Sequence, residues 1–308
     1  MRRLLWTILA VAALSATANA NVILSDNRLV LSVDGRQVVS SPKEGLWSVA
    51  TGWQDDWMCC WHHASPERVE SSGEWTVAHG KIALAEGELL LRDSYRECEN
   101  GLVQCIRRYE WLGERALERV TLSVRLAVEG EALMPCLPGI LYYGNKNGAK
   151  VNSNIIPVYN GAAGEFAIFE EHRYPMPFAM LESAAGGYAA ALHTVPSPVR
   201  GAVLADQWWS MGVEAFDGYS EVVLYSGPIG YNREHSVAKA LQKRPMRYAD
   251  TYITLEPGQI VEKSFYIEVY PIEREGTGFQ RPIYTSLDLY KPYNAERFAT
   301  FEEIVRGK

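Results

Sequence analysis

The sequence has 308 residues, 47% of them hydrophobic, 22% charged and 11% aromatic, a composition that excludes disorder, collagen and coiled coil and describes a folded globular chain. Lys plus Arg number 30 against 37 Asp plus Glu, a formal charge of -7, and without a basic block this balance excludes nucleic acid as a partner. The length admits two ordinary domains or one large all-β core.

Residues 1–20 read as an export signal. Arg2-Arg3 precede an apolar run from Leu4 to Leu14, and Ala18 and Ala20 supply small residues at the cleavage positions, so Asn21 is the expected mature N-terminus. An apolar run this short cannot span a bilayer, which takes about 20 residues. No cysteine follows the cut, so the expectation is a periplasmic or secreted protein with no lipid anchor and no membrane segment after cleavage.

From Val22 to about Tyr270, short alternating runs separated by turn residues predict an antiparallel all-β protein, a large β-sandwich with few short helices. Leu29 to Val33, Asp34-Gly35 and Gln37 to Ser41 predict a hairpin, and Lys81 to Leu91 and Leu102 to Leu112 predict further strands. Val120, Leu122, Val124, Leu126 and Val128 alternate with Arg119, Thr121, Ser123, Arg125 and Ala127, so one face should be buried. Glu165 to Glu170, Tyr188 to Thr194, Gln207 to Phe216, Ser220 to Tyr225 and Tyr252 to Leu255 follow, and Glu256-Pro257-Gly258-Gln259 turns the chain into Ile260 to Tyr270. Helix signals are sparse: Ser236 caps a short one through Leu241, and Asn294, then Thr300 with Glu303, mark a terminal one. The expected division is a signal over 1–20, a sandwich over 21–290, and a linker with the start of a helix over 291–308, leading into a further domain.

The five cysteines, Cys59, Cys60, Cys98, Cys105 and Cys136, cannot all pair internally. Cys98 and Cys105 flank an Asn100-Gly101 turn in a register that sets them diagonally apart, and buried free thiols are expected for most of the five. Trp53, Trp57 and Trp61 recur every fourth residue, with Cys59-Cys60 and His62-His63 beside them. Thiolates and imidazoles suit zinc or copper, but adjacent side chains of extended backbone point oppositely, so these four could converge only in a loop. The expectation is an aromatic loop packed on the sandwich, with no metal and no cofactor.

Several segments carry residues suited to a sugar, whose C–H faces stack on flat rings and whose hydroxyls bond polar groups. Tyr142 to Gly148 offers Tyr142, Asn145 and Asn147. Glu170 to Pro177 offers Glu171, His172 and Arg173; a carboxylate and an imidazole there could do acid/base work, or Glu171 and Arg173 could pair at the surface. Trp208 and Trp209 are adjacent, so one should pack inward and the other should face solvent or a ligand. His193 reads as a satisfied sheet residue and Asn232 as a loop contact. Glu214 joins Glu171 and His172 as a candidate acid or base. Gly-x-Ser-x-Gly, a Walker loop, a Rossmann fingerprint and His-Glu-x-x-His are absent, which excludes those nucleophile, nucleotide and zinc chemistries.

The run of strands, the Tyr142 to Gly148 turn, the Glu171-His172-Arg173-Tyr174-Pro175 loop, the Leu255 to Gln259 turn and Tyr290-Lys291-Pro292-Tyr293 before a helix resemble a known domain. It is the N-terminal β-supersandwich of multidomain bacterial carbohydrate enzymes, similar in fold to galactose mutarotase, and the likeness covers roughly residues 22 to 293. The resemblance implies an oligo- or polysaccharide partner and catalytic carboxylates in a downstream (α/α) barrel of a glycoside hydrolase or polysaccharide lyase, with the sandwich as a non-catalytic contributor to sugar binding. Two alternatives stay open. One is a stand-alone mutarotase-like epimerase using His172 or His193 with Glu171 or Glu214; the other is a structural or adhesive surface sandwich without sugar chemistry.

Overall fold

A computed structural model describes residues 21–25, 28–55, 57–98, 101–146, 156–202, 207–235 and 251–290, with 302 and 306. The chain runs through β1 (Asn21–Ser25), β2 (Arg28–Val33), β3 (Arg36–Ser40), β4 (Trp47–Gln54), β5 (Trp57–Ala64), β6 (Arg68–Ser72), β7 (Trp75–Leu84), β8 (Gly87–Glu97), β9 (Leu102–Gly113), β10 (Leu117–Glu129), β11 (Met134–Leu137) and β12 (Leu141–Tyr142). It continues through β13 (Phe166–Glu170), β14 (Phe178–Ser183), β15 (Tyr188–Thr194), β16 (Ser210–Phe216), β17 (Tyr219–Tyr225), β18 (Gly230–Tyr231), β19 (Glu234–His235), β20 (Ile253–Leu255), β21 (Ile260–Pro271) and helix α1 (Gln280–Tyr290).

These strands form two antiparallel sheets. The larger is ordered β1-β2-β3-β10-β17-β16-β13-β18-β19, with β4 and β20 also pairing β10 and β5 pairing β4; the other is ordered β12-β11-β14-β15-β21-β9-β8-β7-β6. The architecture is an all-β sandwich, and the period-two pattern is its cause. Val120, Leu122, Val124, Leu126 and Val128 of β10 enter one core together with Met211, Val213, Val222 and Leu224, and they meet Leu89, Leu91, Val103, Phe265 and Ile267 from the second sheet. Burying side chains of this kind contributes about 1.5–3 kcal/mol each, which favours one register over any slip that would turn the set to water.

Several expectations change. Lys81 to Leu91 is not one strand, because the chain reverses between β7 and β8, pairing Leu84 with Gly87; Gly87 takes φ +155°, a conformation open to glycine. The segment around the three tryptophans is not a loop but the β4–β5 hairpin. Helix α1 carried no expectation. Pro282 is tolerated in its first turn, where backbone N–H groups have no helical partner, and with Phe279 the helix residue Ile283 packs on Cys136, Phe178, Met180, Ala189, Ala191 and Tyr270 of the second sheet. The signal peptide, the helix from Ser236 and most of the terminal segment lie outside the described residues; Glu302 and Arg306 are helical. Cys98 and Cys105 are unbridged, with Cys105 in the core.

Candidate functional site

The alternate residues of β10 that do not enter the core, Thr121, Ser123, Arg125 and Ala127, face the other side of the large sheet. On β16 and β17 the same logic turns Glu214 and Glu221 to that side, where Glu214 stays partly exposed and Glu221 is fully buried. Asp217 and Gly218 form a two-residue turn, with Gly218 at φ +79°, and the register then sets Phe216 opposite Tyr219 and Glu214 opposite Glu221. Arg125 holds Glu221 as a fork: Nε donates to Oε2 at 2.7 Å and Nη2 to Oε1 at 2.9 Å. The Tyr225 hydroxyl donates to Glu214 Oε2 at 3.0 Å.

The β4–β5 hairpin closes over this face. Trp57 stacks on Phe166 with centroids 5.1 Å apart, and Ala50 and Met58 join Ile168, Val223 and Tyr225 in a small second core. Trp61 lies 6.2 Å from the Tyr225 ring, and the Arg125 guanidinium sits 5.6 Å from the Trp61 ring and 5.9 Å from that of Phe216. Arg125 Nη1 also reaches Ser48 Oγ at 3.3 Å, and Ser48 Oγ lies 2.9 Å from His63 Nδ1. The result is a half-buried polar cluster walled by flat rings.

Burial pushes the Glu214 carboxyl up to about 7, the negative charge of Glu221 adds to this, and Arg125 and the Tyr225 hydroxyl oppose it. Burial also raises Glu221, against the attraction of Arg125. Burial lowers His63, helped by the Arg125 cation. Two adjacent carboxyls with unequal partners are a general arrangement for acid and base work: the one without the guanidinium keeps its proton longer.

The structure scatters the other candidates. Glu171 is fully buried, both its oxygens accept from Lys263 Nζ at 2.7 Å, and Ser197 N donates to it at 2.5 Å. It therefore neither pairs with Arg173 nor reaches a ligand. Arg173 donates from Nε to Glu170 Oε2 at 2.7 Å instead. His172 is partly exposed, 4.0 Å from that same oxygen, and its ring lies 4.9 Å from that of Trp208. Glu170, His172, Arg173 and Trp208 thus gather, and because Glu170 shares a sheet face with Phe166, four residues back along β13, this group lies about 13 Å along the strand from the level of Glu214.

Trp209 is 1% exposed and lies under Lys263 Nζ at 5.5 Å, so burial withdraws it as a stacking platform. His193 is fully buried, with Nε2 2.9 Å from Glu268 and Nδ1 3.2 Å from Ser286 of α1, a position that anchors the helix and excludes acid/base contact with a solvent-borne sugar. Tyr142 is exposed and its hydroxyl accepts from Gly139 N. Asn145 accepts from Tyr142 N and donates to the carbonyls of Ile140 and Pro157, so its amide holds the loop together. Asn147 lies outside the described residues. Asn232 accepts from Val158 N and donates to Ile156 O. Among the described residues no group of three or more His, Cys, Asp and Glu side chains could hold a metal ion.

Arg125, Glu221, Trp61 and His63 are the residues that sequence reasoning missed as parts of one site. The signal was available: Arg125 sits on the polar phase of the clearest strand, and a hairpin centred on Asp217-Gly218 makes Glu214 and Glu221 neighbours.

No family model and no curated protein sequence matches the chain. Among solved structures it is similar to a Synechocystis protein at 13% identity, covering 79% of this chain and 88% of that one with a TM-score of 0.45. A putative aldose 1-epimerase from Escherichia coli is similar at 12% identity, covering 83% and 82% with a TM-score of 0.39. A galactose mutarotase-like protein from Lactobacillus casei is similar at 10% identity, covering 79% and 93% with a TM-score of 0.39.

Proposed function

We propose that the chain is an exported, carbohydrate-active β-sandwich that takes a sugar at Arg125 and Glu214, against the rings of Trp61 and Phe216, with the fully buried Glu221 fixing Arg125 from behind. The observation that carries this reading is one juxtaposition. Glu214 and Glu221 face each other across a hairpin, one bonded by Tyr225 and the other forked by Arg125, beside partly buried aromatic faces. A pyranose needs flat apolar contact for its C–H face and groups that both give and take hydrogen bonds for its hydroxyls. A carboxyl titrating at about 7 does both near neutral pH.

Titration calorimetry of the mature chain against a panel of mono- and oligosaccharides tests this, with Trp61→Ala beside it. The variant is expected to weaken binding by about fivefold, the effect of about 1 kcal/mol of ring contact. Absence of any sugar binding, or equal affinity in a folded Trp61→Ala variant, overturns the assignment.

The same proposal makes the chain the non-catalytic sandwich ahead of the catalytic domain of a glycan-degrading enzyme. The mass of the native polypeptide in its source cells tests that part: a species much larger than 308 residues agrees with it, and one matching 21–308 overturns it. The raised Glu214 carboxyl favours a second reading, in which Glu214 itself exchanges protons with a bound aldose while Glu221 holds Arg125 in place.

A further inference from the structure

Cys60 departs from its strand. It is the residue of β5 with a left-handed backbone, at φ +56°, a region that residues with a Cβ seldom occupy. The register of the hairpin runs through Gly52 with Cys59 and Ala50 with Trp61, and Thr51 and Cys60 between them are left out of it. In regular extended backbone the two cysteine side chains would point to opposite faces. Here the turned backbone brings their sulfurs to 3.8 Å from each other.

Gly52 gives a second, independent sign. A Cβ built on it would lie 2.8 Å from Cys59 Sγ and 2.9 Å from Cys60 Sγ. Both sulfurs therefore converge over the one residue of the facing strand that leaves room for them. Cys60 is exposed and Cys59 partly buried, so one sulfur is open to a reagent and the other stands behind it.

We propose that Cys59 and Cys60 are a redox modification site that closes to a vicinal disulfide by exchange with a small-molecule or protein disulfide. The Cys60 thiolate attacks one sulfur of the donor, whose S–S bond breaks and releases its first thiol. The Cys59 thiolate then attacks Cys60 Sγ and expels the second. Two cysteine thiols are oxidised, the donor disulfide is reduced to two thiols, and the cysteine protons end on those thiols. Adjacent Cα atoms are about 3.8 Å apart, short of the roughly 4.4–6.8 Å of ordinary disulfides. The ring is consequently strained and more easily reduced than a structural disulfide. Closure fixes the backbone between Trp57 and Trp61, the rings that cover the large sheet.

The test uses the full chain and a defined donor, so it is independent of both export and sugar binding. The purified protein is equilibrated with graded ratios of oxidised to reduced glutathione, quenched with an alkylating reagent, and read by intact mass and peptide mapping. The expected oxidised product has lost two hydrogens and takes up alkyl groups on three of its five cysteines, with Cys59 and Cys60 unmodified in one peptide. Cys60→Ser is expected to abolish the loss. Five alkylated cysteines under the most oxidising condition, a stable glutathione adduct on Cys59 or Cys60 as end product, or a two-hydrogen loss that persists in Cys60→Ser each overturn the proposal.

Discussion

Arg107→Met is expected to cost about 3–5 kcal/mol of stability, the size of effect seen when one partner of a buried ion pair is removed. Arg107 and Asp93 are each 1% exposed between the sheets. Arg107 donates from Nε to Asp93 Oδ1 at 2.9 Å and from Nη2 to Oδ2 at 2.7 Å, and it also reaches the carbonyls of Ser123 and Leu46. Asp93 accepts in addition from Trp47 Nε1 at 2.8 Å and from the Tyr95 hydroxyl. Removing the guanidinium leaves a carboxylate in an apolar core with neutral donors alone, and two main-chain carbonyls lose a donor. Urea denaturation measures the loss. The double variant Asp93→Leu with Arg107→Met is expected to recover much of it, since apolar replacement of a whole buried pair is often neutral. A loss below about 1 kcal/mol in the single variant would contradict this role for the pair.

That pair shows how far the sequence could be read. Leu89, Leu91, Asp93 and Tyr95 share one phase of β8, and Val103, Cys105, Arg107, Tyr109 and Trp111 share one phase of β9; the register sets Asp93 opposite Arg107. Two opposite charges on the inward phase of facing strands signal a buried pair. Placing one strand over Lys81 to Leu91 hid it, because that span crosses the β7–β8 turn. The strands over Leu102 to Leu112 and Ile260 to Tyr270 were legible because alternation is local, whereas Tyr188 to Thr194 is buried on both faces and reads only as a short apolar run. Which carboxyl becomes half-buried beside which ring is not local. It depends on the β4–β5 hairpin folding over β10, β16 and β17, a tertiary contact that no spacing of Trp53, Trp57 and Trp61 encodes. Helix α1 was hidden for a related reason: its apolar contacts are few and its polar anchors, Ser286 to His193 and Arg281 and Thr285 to Glu268, are satisfied only against the second sheet. The convergence of Cys59 and Cys60 rests on a single left-handed residue, and periodicity argues against it.

Glu214→Gln is expected to separate function from stability at the proposed sugar site. If Glu214 turns over a bound aldose as its acid, the productive form has Glu214 protonated, so anomer interconversion followed by polarimetry should fall as pH rises through about 7. The variant is expected to lose about a hundredfold or more in rate and to lose that alkaline limb. Stability should move the other way. The folded-state value of about 7 lies above the ordinary carboxyl value of 4.5, so the folded chain binds the extra proton between those limits and its stability declines as pH rises through that window. Gln cannot ionise, so the variant should be the more stable protein above pH 7, by an amount on the order of 1–3 kcal/mol after allowance for partial exposure and for the coupling to Glu221. A gain in stability with unchanged turnover would remove Glu214 from catalysis while leaving it at the site. A loss of stability at high pH would mean that the carboxylate is held by Arg125 and Tyr225 more firmly than burial opposes it, and the acid role would fall with it.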